Sequence, residues 1–390
     1  MLLIAVILMD LLAGMEFDLF VPSFPVLQSQ FHLSPFLVEA LLSVNFVGYV
    51  LSLFFVGGLA DRYGRKPIIL LGLGLFTLGS ILCVWAQSYS FLFIGRFFQG
   101  IGVAAPAILS FLIIADTYPL KKQQSFMAML NGVMNISVGF APVVGSYITL
   151  YFHWQGNFIA LLLLGLLALI AVVFFIPFYP LAEKKETLSL HGYIPLFQSK
   201  PVILLIAHIV FMCIPYWIFV GMSPLLYMKS LSVSLSHFGY YQGILALVFA
   251  LGSLVFGLVI HRYNQKKMLY LCSQIFIISL ITTAFATFTN SHNALLITLA
   301  FLPFVIGQII SSNLLYPLSL NIIPQAKGKV SAILQASRLM LTVFSLQVAG
   351  YYYVGSFKNI GIIIFGFMLM AIITLFWVVR NRELMELIRG

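Results

Sequence analysis

"GGLADRYGRKPIIL", residues 57–70, is a charged knot in an otherwise apolar chain, and "GLVIHRYNQKKMLY", residues 257–270, repeats it. Gly57 and Gly257, Arg62-Tyr63 and Arg262-Tyr263, and Lys66 and Lys266 all keep one offset of 200 residues. Asp61 stands only in the first copy, where His261 faces it in the second. Around these knots the 390-residue chain is 62% apolar and 8% charged. A soluble domain carries about 25% charged residues, so the solvent for this chain is a bilayer.

Apolar runs long enough to cross a membrane occupy 2–25, 36–60, 67–87, 91–115, 124–151 and 156–179. A second set occupies 201–228, 236–261, 267–288, 293–322, 329–354 and 358–379. Each knot joins the second and third run of its set. The expectation is an all-α membrane protein of twelve transmembrane helices. Two six-helix bundles, 1–180 and 201–390 with a short tail, flank a cytoplasmic linker at 181–200. Halves of equal topology are related by a pseudo-two-fold axis along the membrane normal. No basic segment precedes the first run, so it reads as a retained helix rather than a cleaved signal.

Sixteen of the twenty Lys and Arg residues fall on one side of these spans, which the positive-inside rule makes cytoplasmic. Both termini then lie in the cytoplasm. The net charge of +10 is an orientation signal, and basic residues scattered over short loops exclude a nucleic-acid face. Three cysteines form no disulfide framework and read as packing residues.

The residues at the knot now resemble a known family. Gly57, Leu59, Ala60, Asp61, Arg62, Gly64, Arg65 and Lys66 stand as in the signature loop of the major facilitator superfamily. Arg96-Phe97-Phe98-Gln99-Gly100-Ile101-Gly102 resembles that family's helix 4 motif. Residues Asp18 to Pro25, Ser223 to Tyr227 and His237 to Tyr240 resemble the bicyclomycin/chloramphenicol-resistance (Bcr/CflA) branch of drug:proton antiporters. "SVGFAPVVGSY" matches the family's antiporter motif at Pro142 and Gly145, while Ala141 and Ser146 depart from it. The resemblance implies a conformational latch: Gly57, Asp61, Arg62, Gly64 and Arg65, with Arg65 reaching Asp116 at the end of helix 4. A solvated loop is the plainer reading of the same residues.

Ionisable groups at bilayer depth are costly and usually functional. Asp10, Glu16, Asp18 and Glu39 crowd into the first two spans, and the second half has no acid between residues 187 and 382. On one continuous helix Asp10 and Asp18 are about 80° and about 12 Å apart, and Glu16 points about 160° from Asp18. Asp10, Glu16 and Asp18 are the candidate proton-coupling acids. Asp10 is the better carrier, Asp18 can pair with Arg96 at similar depth, and Glu16 is as suited to a neighbouring helix as to a cavity. Fixed structural pairing is the alternative for the acids.

Arg96, Gln99, Asn131, Asn135, His208, Tyr216, Trp217, Gln308, Asn313, Gln335 and Arg338 are the candidate cavity residues. Tyr240, Tyr241 and Phe304 can add to an aromatic pocket. Arg338, near the midplane of an acid-free half, is either a structural anchor or a grip on an anionic substrate. His208 is either a proton relay or a packed donor.

The expected function is proton-coupled export of a small organic molecule by antiport across a bacterial inner membrane, as a monomer. An anionic metabolite such as a carboxylate-type siderophore, moved in either direction, is the alternative cargo. A non-transporting receptor on the same fold is the alternative class. No metal cluster, cofactor motif or nucleophile with a matched base points to an enzyme.

Overall fold

A computed structural model describes residues 1–178, 198–323 and 327–388. The expected linker at 181–200 falls mostly outside the described residues. Thirteen α-helices are present among those described: α1 (Leu2–Met15), α2 (Phe24–Gln30), α3 (Pro35–Tyr63), α4 (Arg65–Val84), α5 (Tyr89–Thr117), α6 (Leu120–Phe175), α7 (Lys200–Pro224), α8 (Leu235–Val259), α9 (Gln265–Phe288), α10 (Ala294–Asn321), α11 (Lys327–Tyr352), α12 (Phe357–Arg380) and α13 (Arg382–Leu387). Ten stretches among them are long and apolar enough to cross a bilayer.

The long α6 is two spans. Phe152 (φ −125°, ψ 15°) and His153 (φ 57°, ψ −175°) interrupt its helical backbone. With α1 and α2 sharing the first span, the chain makes twelve transmembrane crossings and no strand among the described residues.

That first span differs from the continuous helix expected over 2–25. α1 stops at Met15, a one-turn 3₁₀ helix follows at Val21–Ser23, and α2 begins at Phe24. Proline lacks an N–H and crowds the carbonyl four residues back. Pro22 therefore cannot bond to the carbonyl of Asp18, nor Pro25 to that of Val21. Asp18 falls just past the end of α1, in a last turn closed by the Leu19 amide donating to the Met15 carbonyl at 3.0 Å. Pro224 acts alike, and α7 runs on into a single π-helical segment at Leu225–Ser230.

The chain divides into two compact units. Unit 1 is Met1–Leu188 with Ser234–Gly243, and unit 2 is Ser189–Val233 with Ile244–Gly390. In unit 1, α5 packs on α3 and α4, and α1 on α6. In unit 2, α7 packs on α11 and α12, and α9 on α10. The exterior is apolar, with Phe174, Leu258, Ile281, Phe285 and Phe344 exposed, while Asp10, Glu16, Glu39, Arg96 and His208 are buried. This inversion of the soluble pattern is what lipid solvent selects.

Packing in lipid gains nothing from hydrophobic transfer between helices, so close approach decides it. A Cβ on Gly79 of α4 would meet the Gly95 carbonyl of α5 at 2.6 Å and the Gln99 amide at 2.7 Å. Both are backbone atoms that cannot step aside. Gly79→Leu is therefore expected to lower the melting temperature of the purified protein by several degrees. A melting curve matching wild type would contradict this close seam.

Candidate functional site

The signature loop begins where α3 ends. Gly64 (φ 93°, ψ 157°) closes that helix in a conformation that side-chain-bearing residues rarely adopt. The reversal lets Arg65 open α4 facing its own neighbours. Arg65 Nη1 donates to Asp61 Oδ1 at 2.5 Å, and its Nε donates to Asp116 Oδ2 at 3.1 Å. One guanidinium thus ties the ends of α3 and α5 to the start of α4. The Arg62 side chain lies over the ring of Tyr63, and Gly57 has open space beside it. Lys66 is nearly buried and donates from Nζ to the Val173 carbonyl at 2.8 Å, one of the last carbonyls of α6. A cation at a helix C-terminus both completes the hydrogen bond and faces the negative end of the dipole.

Two of the buried charges of unit 1 meet at the end of α1. Arg96 and Glu16 are both fully buried, with Nη1 donating to Oε1 at 2.7 Å. Asn45 Nδ2 donates to the same Glu16 oxygen at 2.6 Å and to the Arg96 carbonyl at 3.1 Å. Arg96 also donates to Gln99 Oε1 at 2.8 Å, and Gln99 Nε2 donates onward to Ser80 Oγ at 2.8 Å. The Phe20 ring covers the guanidinium, 4.0 Å from Cζ. Helices α1, α3, α4 and α5 are therefore joined through one cation.

This corrects the expected Asp18–Arg96 pair. Glu16 is the C-cap residue of α1, still helical, so its side chain turns toward α3 and α5. Asp18, two residues on, lies in the turn that the Leu19 amide closes on the Met15 carbonyl, close enough to feel the charge of Glu16. Its Oδ1 has no hydrogen-bond partner among the described residues.

Asp10 is the plainest of these acids. It is fully buried, and neither carboxyl oxygen has a partner among the described residues. Gly14, one turn along the same face, sits against Ser137 and Met134 of α6. Asp10 thus belongs to the α1–α6 side of unit 1, away from Arg96. Glu39 of α3 is likewise buried with both oxygens unpartnered.

The remaining candidates separate. The side chains of Asn131 and Asn135 lie outside the described residues. In unit 2, buried His208 is fully engaged: Nδ1 faces the Ala371 carbonyl at 3.0 Å and Nε2 faces Ser311 Oγ at 2.7 Å. A carbonyl only accepts, so Nδ1 carries a proton, and the ring ties α7 to α10 and α12. Asn313 donates to its own helix at the Ile309 carbonyl. Tyr216 and Trp217 pack edge to face at 6.2 Å. Phe304 is fully buried against Phe276 and Phe301, so it belongs to the core rather than to a pocket wall. In unit 2, Arg338 and Gln308 lie near the thiol of Cys213. Asn45 and Ser80 are not among the residues that the sequence singles out, although as polar residues interrupting apolar runs they carry a signal, and Phe20 stands out only as part of the Asp18 to Pro25 stretch.

Comparison with known proteins places this geometry. A family model described as Major Facilitator Superfamily matches residues 6–346. The multidrug resistance protein MdtL of Shewanella oneidensis is 28% identical over 271 residues, 67% of this chain and 66% of that protein. MdtL of Escherichia coli is 31% identical over 172 residues, 43% of this chain and 44% of that protein. The matched chain therefore spans about two thirds of the first relative and under half of the second. A crystal structure of a D-xylose–proton symporter superposes with a TM-score of 0.78 at 15% identity, covering 97% of this chain and 96% of that one. A bacterial homologue of the human lysosomal transporter Spinster, inward-facing and unoccupied, gives 0.75 at 14%, covering 100% and 98%. At such identities the likeness is one of fold.

Proposed function

The chain belongs to the major facilitator superfamily, and from that premise we propose that it is a proton-coupled transporter exporting a small organic molecule by antiport. It works by alternating access in a bacterial inner membrane, as a monomer with both termini cytoplasmic. The observation that carries this reading is Asp10. A buried carboxyl with no cation and no donor among the described residues is free to change protonation without breaking a bond. Glu16, held by Arg96 and Asn45, is the structural acid beside it, and Asp18 is a second exchangeable site. The multidrug resistance relatives support organic cargo and an outward direction.

The test uses purified protein in proteoliposomes loaded with ethidium under an imposed pH gradient. The expected result is flux that follows the gradient and collapses with an uncoupler. Flux indifferent to the gradient overturns proton coupling.

The signature loop acts in this scheme as a latch. Asp61 is 52% exposed on its side chain, and an exposed pair contributes about 0–1 kcal/mol to stability. Asp61→Asn is therefore expected to leave the melting temperature within a degree or two of wild type while slowing transport several-fold. Equal transport would remove the latch role, and a large loss of stability would make the loop structural.

A further inference from the structure

We propose that Glu39 is the entry acid of a proton path in unit 1, taking protons from the outer side and passing them toward Asp18 and Asp10. The proposal rests on reading the chain as a proton-coupled transporter and adds a residue to that reading.

Glu39 lies in the second turn of α3, five residues after the exposed N-cap Ser34. It is fully buried, and neither carboxyl oxygen has a partner among the described residues. Its depth follows from Asn45, six residues on, which donates to Glu16 at 2.6 Å. Glu39 therefore stands about 9 Å from the level of the Glu16–Arg96 pair, toward the end of α3 away from the signature loop. In the proposed orientation that end is the outer one. The first span runs the other way, so Asp10, six residues before Glu16, stands about 9 Å to the inner side of the pair. Two unpartnered acids thus flank a fixed ion pair, about 18 Å apart in depth within a hydrocarbon core about 30 Å thick. Asp18, close to Glu16 and with Oδ1 unpartnered among the described residues, stands between them.

Azimuth agrees with depth. Phe46, seven residues on, shares the face of Glu39 to within about 20°, and its ring meets Phe17 of the first span at 4.9 Å between centroids. Gly48, about 180° round the helix from Glu39, is the residue that packs against Phe97 of α5. Glu39 therefore lies on the side of α3 turned to the acid-bearing span. The ionisable groups that neighbouring elements bring to this part of α3 are Glu16 and Asp18 of the first span, Tyr89 and Arg96 of α5, and exposed His32 of the preceding turn; α2 brings none. Arg96 is held by Glu16, and the Tyr89 hydroxyl donates to the Leu37 carbonyl at 2.9 Å. An acid kept at membrane depth is costly, and Glu39 makes no ion pair or hydrogen bond among the described residues that would account for it as a structural tie. It gains a proton from outer water when the cycle opens that side. The same O–H bond breaks as the proton passes to the carboxylate of Asp18.

The test compares pH-gradient-driven flux with downhill exchange of ethidium in proteoliposomes, for wild type, Glu39→Gln, Glu39→Asp and Glu39→Asn. Gln matches Glu in size, and Asn matches Asp, but neither amide carries a proton. Glu39→Gln and Glu39→Asn are expected to lose driven flux by at least about tenfold while exchange persists. Glu39→Asp, which keeps the carboxyl, is expected to retain driven flux within a few-fold of wild type. Undiminished driven flux in Glu39→Gln overturns the proposal. So does an equal fall of driven flux and exchange, which makes Glu39 structural. Should Glu39→Gln not fold, the Asp and Asn variants decide, and equal driven flux in those two overturns it. Wild type in the same liposomes separates the two readings: gradient-indifferent wild-type flux sinks proton coupling itself, whereas coupled wild type with an undiminished amide variant sinks only Glu39.

Discussion

Asp10→Asn is expected to abolish pH-gradient-driven flux while leaving substrate binding and the melting temperature close to wild type. The substitution is isosteric and removes only the ability to carry a proton. Asp10 makes no ion pair and no hydrogen bond among the described residues, so no structural bond is lost with it. Positioned proton transfer contributes about 10²–10⁴-fold to rate, and the driven component is expected to fall by at least about 100-fold. Downhill exchange of substrate, which needs no net proton movement, is expected to persist. The measurement is driven and exchange flux in the same liposomes. Undiminished driven flux removes Asp10 as the carrier and turns attention to Glu39, the other buried acid with both oxygens unpartnered. Glu39→Gln in parallel therefore makes the comparison decisive.

The second large effect lies at Arg96. Removing one partner of a buried ion pair leaves an uncompensated charge and costs about 3–5 kcal/mol. Arg96→Leu strands Glu16 and, with it, Asn45 and Gln99, which share the same network. The expected result is a protein that melts far below wild type or does not accumulate. Replacing both charges by apolar residues of similar volume is often neutral or stabilising, so Glu16→Leu with Arg96→Leu is expected to recover most of the lost stability. Non-additivity of this kind is the signature of a coupled pair. A double variant no more stable than either single one would show that Arg96 and Glu16 do not act as a unit. A recovered protein that still fails to transport would give the pair a part in the cycle as well as in the fold.

These two experiments treat the acids of the first span oppositely, and the sequence alone pointed elsewhere for one of them. Asp10 stood out because no cation falls at its level in the neighbouring spans. Depth along the first span allows Arg96 to pair with Asp18, but it allows Glu16 as well, since the two acids stand less than a turn apart in height. Azimuth separates them: on a helix they point about 160° apart, and it is Glu16 that faces Arg96. His208 shows the same limit from another side: a lone histidine in an apolar run reads equally as relay or tie. The Ser311 hydroxyl and Ala371 carbonyl that occupy both its nitrogens come from helices more than a hundred residues away.

The sequence by itself determined the solvent, the number of crossings, the internal repeat and the family. Each is written in composition or in spacing along one chain: 8% charged residues, runs of bilayer length, and a basic knot returning after 200 residues. Only the tertiary structure decided which buried charges neutralise one another and which stand without a partner. A hydrogen bond acts over about 3 Å, whereas depth along a span fixes height alone and leaves open which azimuth faces which neighbouring helix. Partner choice in a low-dielectric interior therefore depends on coordinates that no periodicity encodes.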